Sequence, residues 1–248
     1  NEPDKLSGYM DNISNCGQKL LSLLNNVLDL ARIENNKTVI ENTINDIDDL
    51  FTSCITMFEN SAEKKKLTIS MRKNIKYRYI YIDETHFSEI VMNIMSNAIK
   101  YTGADGEITC AIRQEDGDNE QMCNTVFSIT DTGIGMSEEY ISHIFEAFSR
   151  ERTSTVSGVE GAGLGMGIVK KLVDLMGEIT VSSAIGEGSV FTVSLPCRIS
   201  SEEEAKAKRA DTDIDKTSLK GRRVLLTEDN NINAEIATEL LSDEGLII

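Results

Sequence analysis

Three stretches of this 248-residue chain hold side chains whose types and spacing can do chemistry. The first is a predicted helix, Asp83–Tyr101, with Asp83 as its cap. At about 100° per residue, Asn93, Asn97 and Lys100 fall within roughly 60° of one another. Val91, Met95 and Ala98 point the opposite way, toward a core. An amide oxygen can ligate Mg²⁺ and a lysine ammonium can neutralise phosphate charge, so this face suits a phosphate and its metal. Three solvated polar residues would give the same pattern.

The second stretch is Asp131-Thr132-Gly133-Ile134-Gly135, where a predicted strand ends in a carboxylate followed by two glycines. An ionised carboxylate only accepts hydrogen bonds, so Asp131 can take one from the exocyclic amine of a base. Glycines let the backbone approach a flat ring closely. An ordinary glycine-rich turn has the same composition. The third stretch runs from Gly158 to Gly167, with five glycines in ten residues. It leads into an amphipathic helix marked by Ile168, Val169, Leu172, Val173 and Leu175. Backbone N–H groups ahead of a helix N-terminus can be aimed at an anion, whereas a flexible linker would not run straight into such a helix. Between these stretches, Phe145 and Phe148 flank Glu146-Ala147, either as local packing or as the anchor of a mobile lid. Arg150 follows two residues on, either solvated or within reach of a terminal phosphate.

The elements that must position these groups follow from periodicity. Leu6, Tyr9, Met10, Ile13, Cys16, Leu20, Leu23, Leu24, Val27, Leu28, Leu30, Ala31 and Ile33 recur at spacings of three and four. They predict one long helix with an apolar seam that needs a partner helix. A short strand is expected over Thr38–Ile44, and a helix over Asp46–Lys65 with Ile47, Leu50, Cys54, Ile55 and Phe58 on one face. Alternation predicts strands at Leu67–Arg72, Tyr77–Ile82, Glu107–Arg113 and Thr125–Asp131, the last two joined by a polar turn, Glu115–Glu120. After a loop-rich stretch, Thr132–Gly163, a helix runs to about Met176 and strands follow at Glu178–Ser183 and Ser189–Pro196. Sheet and helices interleave without strict alternation, so the expected class is α+β: one mixed sheet with helices on one face, preceded by one long helix. Ser200–Lys216 reads as a charged linker, Arg223–Glu228 as a strand and Asn231–Glu244 as a helix.

Composition sets the outer bounds. An apolar content of 40% allows a sizeable core. The net charge of -16 repels phosphate backbones and argues against nucleic acid as a partner. Cys16, Cys54, Cys110, Cys123 and Cys197 form no CxxC pair and sit among apolar residues, as buried reduced thiols of a cytosolic protein would. No run of 18 apolar residues suggests a membrane span.

The order of these signals is more specific than any one of them. Asn93-Ile-Met-Ser-Asn97-Ala-Ile-Lys100-Tyr101-Thr102 resembles the asparagine box of the histidine kinase catalytic domain, a member of the Bergerat group of ATPases. Asp131-Thr-Gly-Ile-Gly135 resembles its first glycine box, Ile144-Phe-Glu-Ala-Phe148 its phenylalanine box, and Gly161-Ala-Gly163-Leu-Gly165-Met-Gly167 its second glycine box. The resemblance spans about Asp46–Arg198. It implies a two-layer α/β sandwich that binds ATP and Mg²⁺. By that resemblance Asn97 ligates Mg²⁺, with Asn93 supporting the same site. Lys100 and Arg150 contact phosphate, and Tyr101 packs at the ribose or adenine edge. Asp131 reads the adenine amine beside Gly133 and Gly135. Met136–Gly161 forms a lid over the nucleotide, and Gly161, Gly163, Leu164, Gly165 and Gly167 cradle phosphates through their backbone. The implied reaction moves the ATP γ-phosphoryl group to a histidine by positioning and electrostatic stabilisation.

The flanks extend the resemblance. Residues 1–36 resemble the second helix of a dimerisation and histidine-transfer bundle, with the phosphoacceptor histidine expected on a first helix before Asn1. His86 and His143 lack that context. Residues 37–198 would be the ATP-binding domain and 199–220 a linker. Residues 221–248 resemble the start of a receiver domain, with Glu228 and Asp229 as its Mg²⁺-binding acidic pair. The implied parent is a hybrid sensor histidine kinase, homodimeric when full length. It would use its own helices and receiver, and a response regulator or phosphotransfer protein, as partners. The fragment is expected in the cytoplasm and the full-length protein at the inner membrane. Alternatively, the fragment only binds ATP or docks a regulator. Gyrase, mismatch-repair, chaperone and anti-sigma ATPases of the same group are disfavoured by both flanks.

Overall fold

The computed structural model describes residues 17, 20–21, 24, 28, 38–146, 148–149, 163–212 and 220–248. The chain forms two compact units, Asn1–Ser201 and Glu202–Ile248. In the first, Gly17, Leu20, Leu21, Leu24 and Leu28 are helical, and the four leucines are exposed. The other seam positions lie outside the described residues.

There follow β1 (Thr43–Asp46), α1 (Ile47–Thr56), α2 (Glu59–Lys65), β2 (Thr68–Asn74), β3 (Tyr79–Ile82) and α3 (Glu84–Tyr101). Next come β4 (Glu107–Asp116), β5 (Met122–Asp131), the single turn α4 (Glu138–Ile141), α5 (Gly165–Met176), β6 (Glu178–Ala184) and β7 (Gly188–Ile199). The sheet order is β1-β3-β7-β5-β4-β2, and β6 also pairs with β7. Strand β2 runs parallel to β4, and every other pairing is antiparallel. The long β7 pairs with β5 along its length, while β6 takes Gly188–Ser194 and β3 takes Arg198 and Ile199.

Alternate strand residues make the core. Ile108, Cys110 and Ile112 of β4, Cys123, Phe127 and Ile129 of β5, and Phe191, Val193 and Leu195 of β7 are buried against residues of α1, α3 and α5. The Phe127 ring lies 6.0 Å from Phe51 and 5.4 Å from Phe87 between centroids, so one strand residue joins two helices to the sheet. This is the expected α+β architecture.

Several boundaries differ. The expected helix Asp46–Lys65 is two helices broken at Met57-Phe58. The hydroxyls of Thr52 and Thr56 bond back to the carbonyls of Asp48 and Thr52, a competition that weakens and bends a helix. Phe51, fully buried, belongs to the apolar face as well. The first strand starts at Thr43 rather than Thr38, paired with β3 from Thr43 opposite Ile82. Strands β4 and β5 extend to an Asp116–Cys123 pair, which shortens the turn.

In the second unit, the expected linker is helical as α6 (Glu202–Thr212). Three glutamates in its first turn suit the helix dipole, and Lys206 pairs with Glu202 at 2.8 Å. The expected strand Arg223–Glu228 reduces to one parallel bridge, Arg223 to Ile247, ahead of α7 (Asn231–Asp243). A strand takes its order from ladders along its length, and among the described residues only this short contact faces it.

Candidate functional site

Helix α3 carries the first group of candidates. Asp83 caps it, accepting from His86 N–H at 2.9 Å and from Glu41 N–H at 2.8 Å. Val91, Met95 and Ala98 are buried, as the periodicity requires, which leaves Asn93, Asn97 and Lys100 half-buried on the other face. The Asn93 amide donates to Glu89 O at 2.9 Å. The Asn97 side chain makes no hydrogen bond to another described residue. The Lys100 ammonium lies 4.9 Å from the Tyr101 ring, within cation–π range.

Strand β5 delivers Asp131 to the same end of the molecule. Asp131 is 5% exposed, and its carboxylate accepts from Gly133 N–H at 2.8 Å, with Ser189 N–H also facing it. Burial pushes its pKa up, and the two N–H groups partly offset that. Ser189, directly opposite Asp131 on β7, is a site residue that sequence reading misses, because strand register is not visible in local pattern. Gly133 sits between Asp131 Oδ1 and the carbonyl of Tyr101. Ile134 N–H donates to that carbonyl at 3.2 Å, which ties the end of α3 to the Asp-Gly turn. Gly135 has φ +64°, and a β-carbon there would collide with the Ala184 carbonyl, so the turn packs on the β6–β7 hairpin.

The glycine-rich segment arrives last. Leu164 is buried and precedes α5 without a side-chain cap hydrogen bond, so among the described residues the first-turn N–H groups are left uncapped. A β-carbon on Gly165 would lie 2.5 Å from Asn93 Oδ1. The start of α5 therefore rests on the amide face of α3. Gly167 is buried. Gly163 O accepts from Phe148 N–H at 2.9 Å, so Phe148, within the expected lid, is tied to the chain just beyond the lid's end. Phe145 packs partly on the core, whereas Phe148 is 65% exposed with φ +65°; of the two rings only Phe145 is an anchor. Arg150 and Gly161 lie outside the described residues.

The remaining candidates stand apart. His86 packs at the start of α3 beside Asp83, and His143 pairs on the surface with Glu146 at 2.8 Å, which pushes the His143 pKa up. Glu228 and Asp229 are exposed in the second unit, where Glu228 accepts from Asn230 N–H at 3.1 Å and the Asn233 amide at 3.3 Å. No cluster of three or more histidine, cysteine, aspartate or glutamate side chains able to hold a metal occurs among the described residues. No helix among them is long and apolar enough to cross a membrane.

A half-buried amide face, a buried strand-end carboxylate and an uncapped glycine-rich helix start thus lie on one α+β sheet domain. Residues 82–199 match the family described as histidine kinase-, DNA gyrase B-, and HSP90-like ATPases, and the chain carries a domain of that family. Relatives that align along nearly the whole chain are sensor kinases. The chain is 32% identical, over 93% of its length and 27% of the relative's, to the autoinducer 2 sensor kinase/phosphatase LuxQ of Vibrio cholerae. It is 31% identical, over 96% of its length and 25% of the relative's, to the sensor histidine kinase GacS of Pseudomonas protegens. The crystal structure of full-length ShkA in complex with AMPPNP superposes with a TM-score of 0.67 at 26% identity, over 97% of this chain and 47% of that one. The chain thus spans about a quarter of the length of these curated relatives.

Proposed function

We propose that the site binds Mg·ATP and that the whole protein transfers the γ-phosphoryl group to a histidine in a two-component phosphorelay. The observation that carries this reading is the contact of Gly165 with Asn93, which sets the open start of α5 against the amide face of α3. The residues present fit the group. The Asn97 side chain is unengaged among the described residues, Asp131 is a buried acceptor, and the missing side chain of Gly165 lets the start of α5 approach Asn93.

Asn97 is assigned as the Mg²⁺ ligand, supported by Asn93, and Lys100 as a phosphate contact. Asp131 accepts from the adenine amine, beside Tyr101, Gly133 and Gly135. Gly163, Leu164, Gly165 and Gly167 are assigned to phosphate through their backbone N–H groups; the family pattern assigns Gly161 the same role and Arg150 the γ-phosphate. Bound nucleotide and Mg²⁺ supply the phosphoryl group and the charge that neutralises it. The chain's own part is to orient that group and to hold fixed dipoles and cations around it.

The domain limits proposed are 1–36 for a dimerisation helix, 37–198 for the ATP-binding domain, 199–220 for a connection and 221–248 for the start of a receiver. Glu228 and Asp229 would be the receiver's Mg²⁺ pair. The partners proposed are the protein's own helices and receiver, a response regulator or phosphotransfer protein, and a second copy in a homodimer. The full-length protein is placed at the inner membrane and this part of it in the cytoplasm.

A second reading, ATP binding or regulator docking without autophosphorylation by this chain, is favoured by the surroundings of its two histidines. His86 lies at a helix start and His143 pairs with Glu146. Labelled ATP separates the two. Transfer to a separately supplied bundle helix carrying a histidine is expected, with no label on this chain alone. Stable phosphohistidine at His86 or His143 would overturn the assignment of both as bystanders.

A further inference from the structure

The last four carbonyls of α3 have no partner within the helix and must find one elsewhere. Ala98 O accepts from Thr102, by backbone N–H at 3.1 Å and by hydroxyl at 2.6 Å. Tyr101 O accepts from Ile134 N–H at 3.2 Å. The two between them, Ile99 O and Lys100 O, are both taken by one group from another element. The Lys65 ammonium, at the end of α2, donates to them at 2.7 Å and 2.8 Å. The turn after α2 is fixed to the neighbouring loop as well, since Asp105 N–H donates to Lys66 O and Thr68 N–H to Gly106 O, each at 3.0 Å. Lys65 therefore works from an anchored backbone.

We infer that Lys65 is a positioning residue for the nucleotide site, setting the last turn of α3 through its two carbonyl contacts. That turn carries Lys100 and Tyr101, and one turn back stands Asn97. A cation at a helix C-terminus satisfies the orphan carbonyls and complements the helix dipole together. Without Lys65, two half-shielded carbonyls turn to water and the last turn frays, which moves the Lys100 and Tyr101 side chains while the buried face of α3 stays packed. The effect falls on ligand binding by the folded protein more than on folding itself. This inference rests on the ATP reading above.

The test is a titration of the full chain with Mg·ATP, comparing wild type, Lys65→Met, Lys65→Arg and Lys73→Met. Lys73 joins Asp48 and Thr52 at the surface and none of the α3 carbonyls, so its loss reports general loosening. Lys65→Met is expected to weaken nucleotide binding about tenfold, the effect of losing hydrogen bonds to a charged group. Lys65→Arg, which keeps the charge and the donors, should restore most of the affinity, and Lys73→Met should bind as wild type does. Should Lys65→Met not fold, Lys65→Gln, with donors but no charge, takes its place and should bind more weakly than Lys65→Arg. Wild-type affinity in Lys65→Met or Lys65→Gln, or an equal loss in Lys73→Met, would overturn the positioning role and leave the ATP reading intact. Absence of binding by the wild type would overturn both.

Discussion

Asn93 and Gly165 come from segments 72 residues apart and meet so closely that the glycine position has no room for a β-carbon. The obstacle is the far end of a side chain, so Asn93 can move aside. Gly165→Ala should therefore leave the fold intact, and alanine at a helix start should even add up to about 1 kcal/mol of helix propensity. Nucleotide affinity should fall at the same time, because Asn93 is displaced and the α5 start moves away from it. Thermal melting and a nucleotide titration on one sample check both halves. Unchanged affinity would mean that the contact does not shape the site.

Asp131 gives the site a pH dependence with a definite sign. Burial holds its carboxyl above the ordinary value of about 3.9, so the folded chain keeps the proton longer than the unfolded one does. The stability this confers is fully present below the unfolded pKa and is lost as pH rises through the folded pKa. Asp131→Asn should accordingly melt higher than wild type at neutral pH, with the gain vanishing in acid. Ligand binding runs the other way. A donated hydrogen bond from an adenine amine favours the ionised carboxylate, so ATP affinity should fall as pH drops through the raised pKa. That fall should be flattened in Asp131→Asn, whose binding is weak throughout.

The thiols should be inert in the native state. Cys54, Cys110, Cys123 and Cys197 are free and buried. Burial pushes Cys110 and Cys197 up to about 12 and raises Cys54 and Cys123. The thiolate is the reactive form, so none of these four should react promptly with a disulfide reagent near neutral pH. All should react after denaturation in urea. Prompt modification of Cys110 or Cys197 in the native chain would contradict the packing of β4 and β7.

Much of the site was legible because each part is local. Asp83 as a cap, the buried face of α3, the carboxylate at the end of β5 and the glycines before α5 are all read within one element. The break at Met57-Phe58 was not, because no glycine or proline marks the place and the threonine hydroxyls that bond back to the carbonyls of α1 leave no such mark. Helix α6 was missed because its acidic first turn and its Glu202–Lys206 pair look like a solvated linker when only apolar periodicity is counted. Long-range partners were invisible for a different reason. Ser189 reaches Asp131 through strand register, and Lys65 reaches the end of α3 through tertiary packing. Neither relation leaves a trace in residue spacing.

The central claim is that the Asn97 amide and the Asp131 carboxylate serve one Mg·ATP site. A calorimetric titration of the chain with Mg·ATP, repeated on Asn97→Ala and Asp131→Ala after melting curves establish that both are folded, tests it most directly. The account predicts saturable binding by the wild type and a loss of at least about tenfold in each variant, since each removes a charged or metal-directed contact. Unchanged affinity in both folded variants would contradict it.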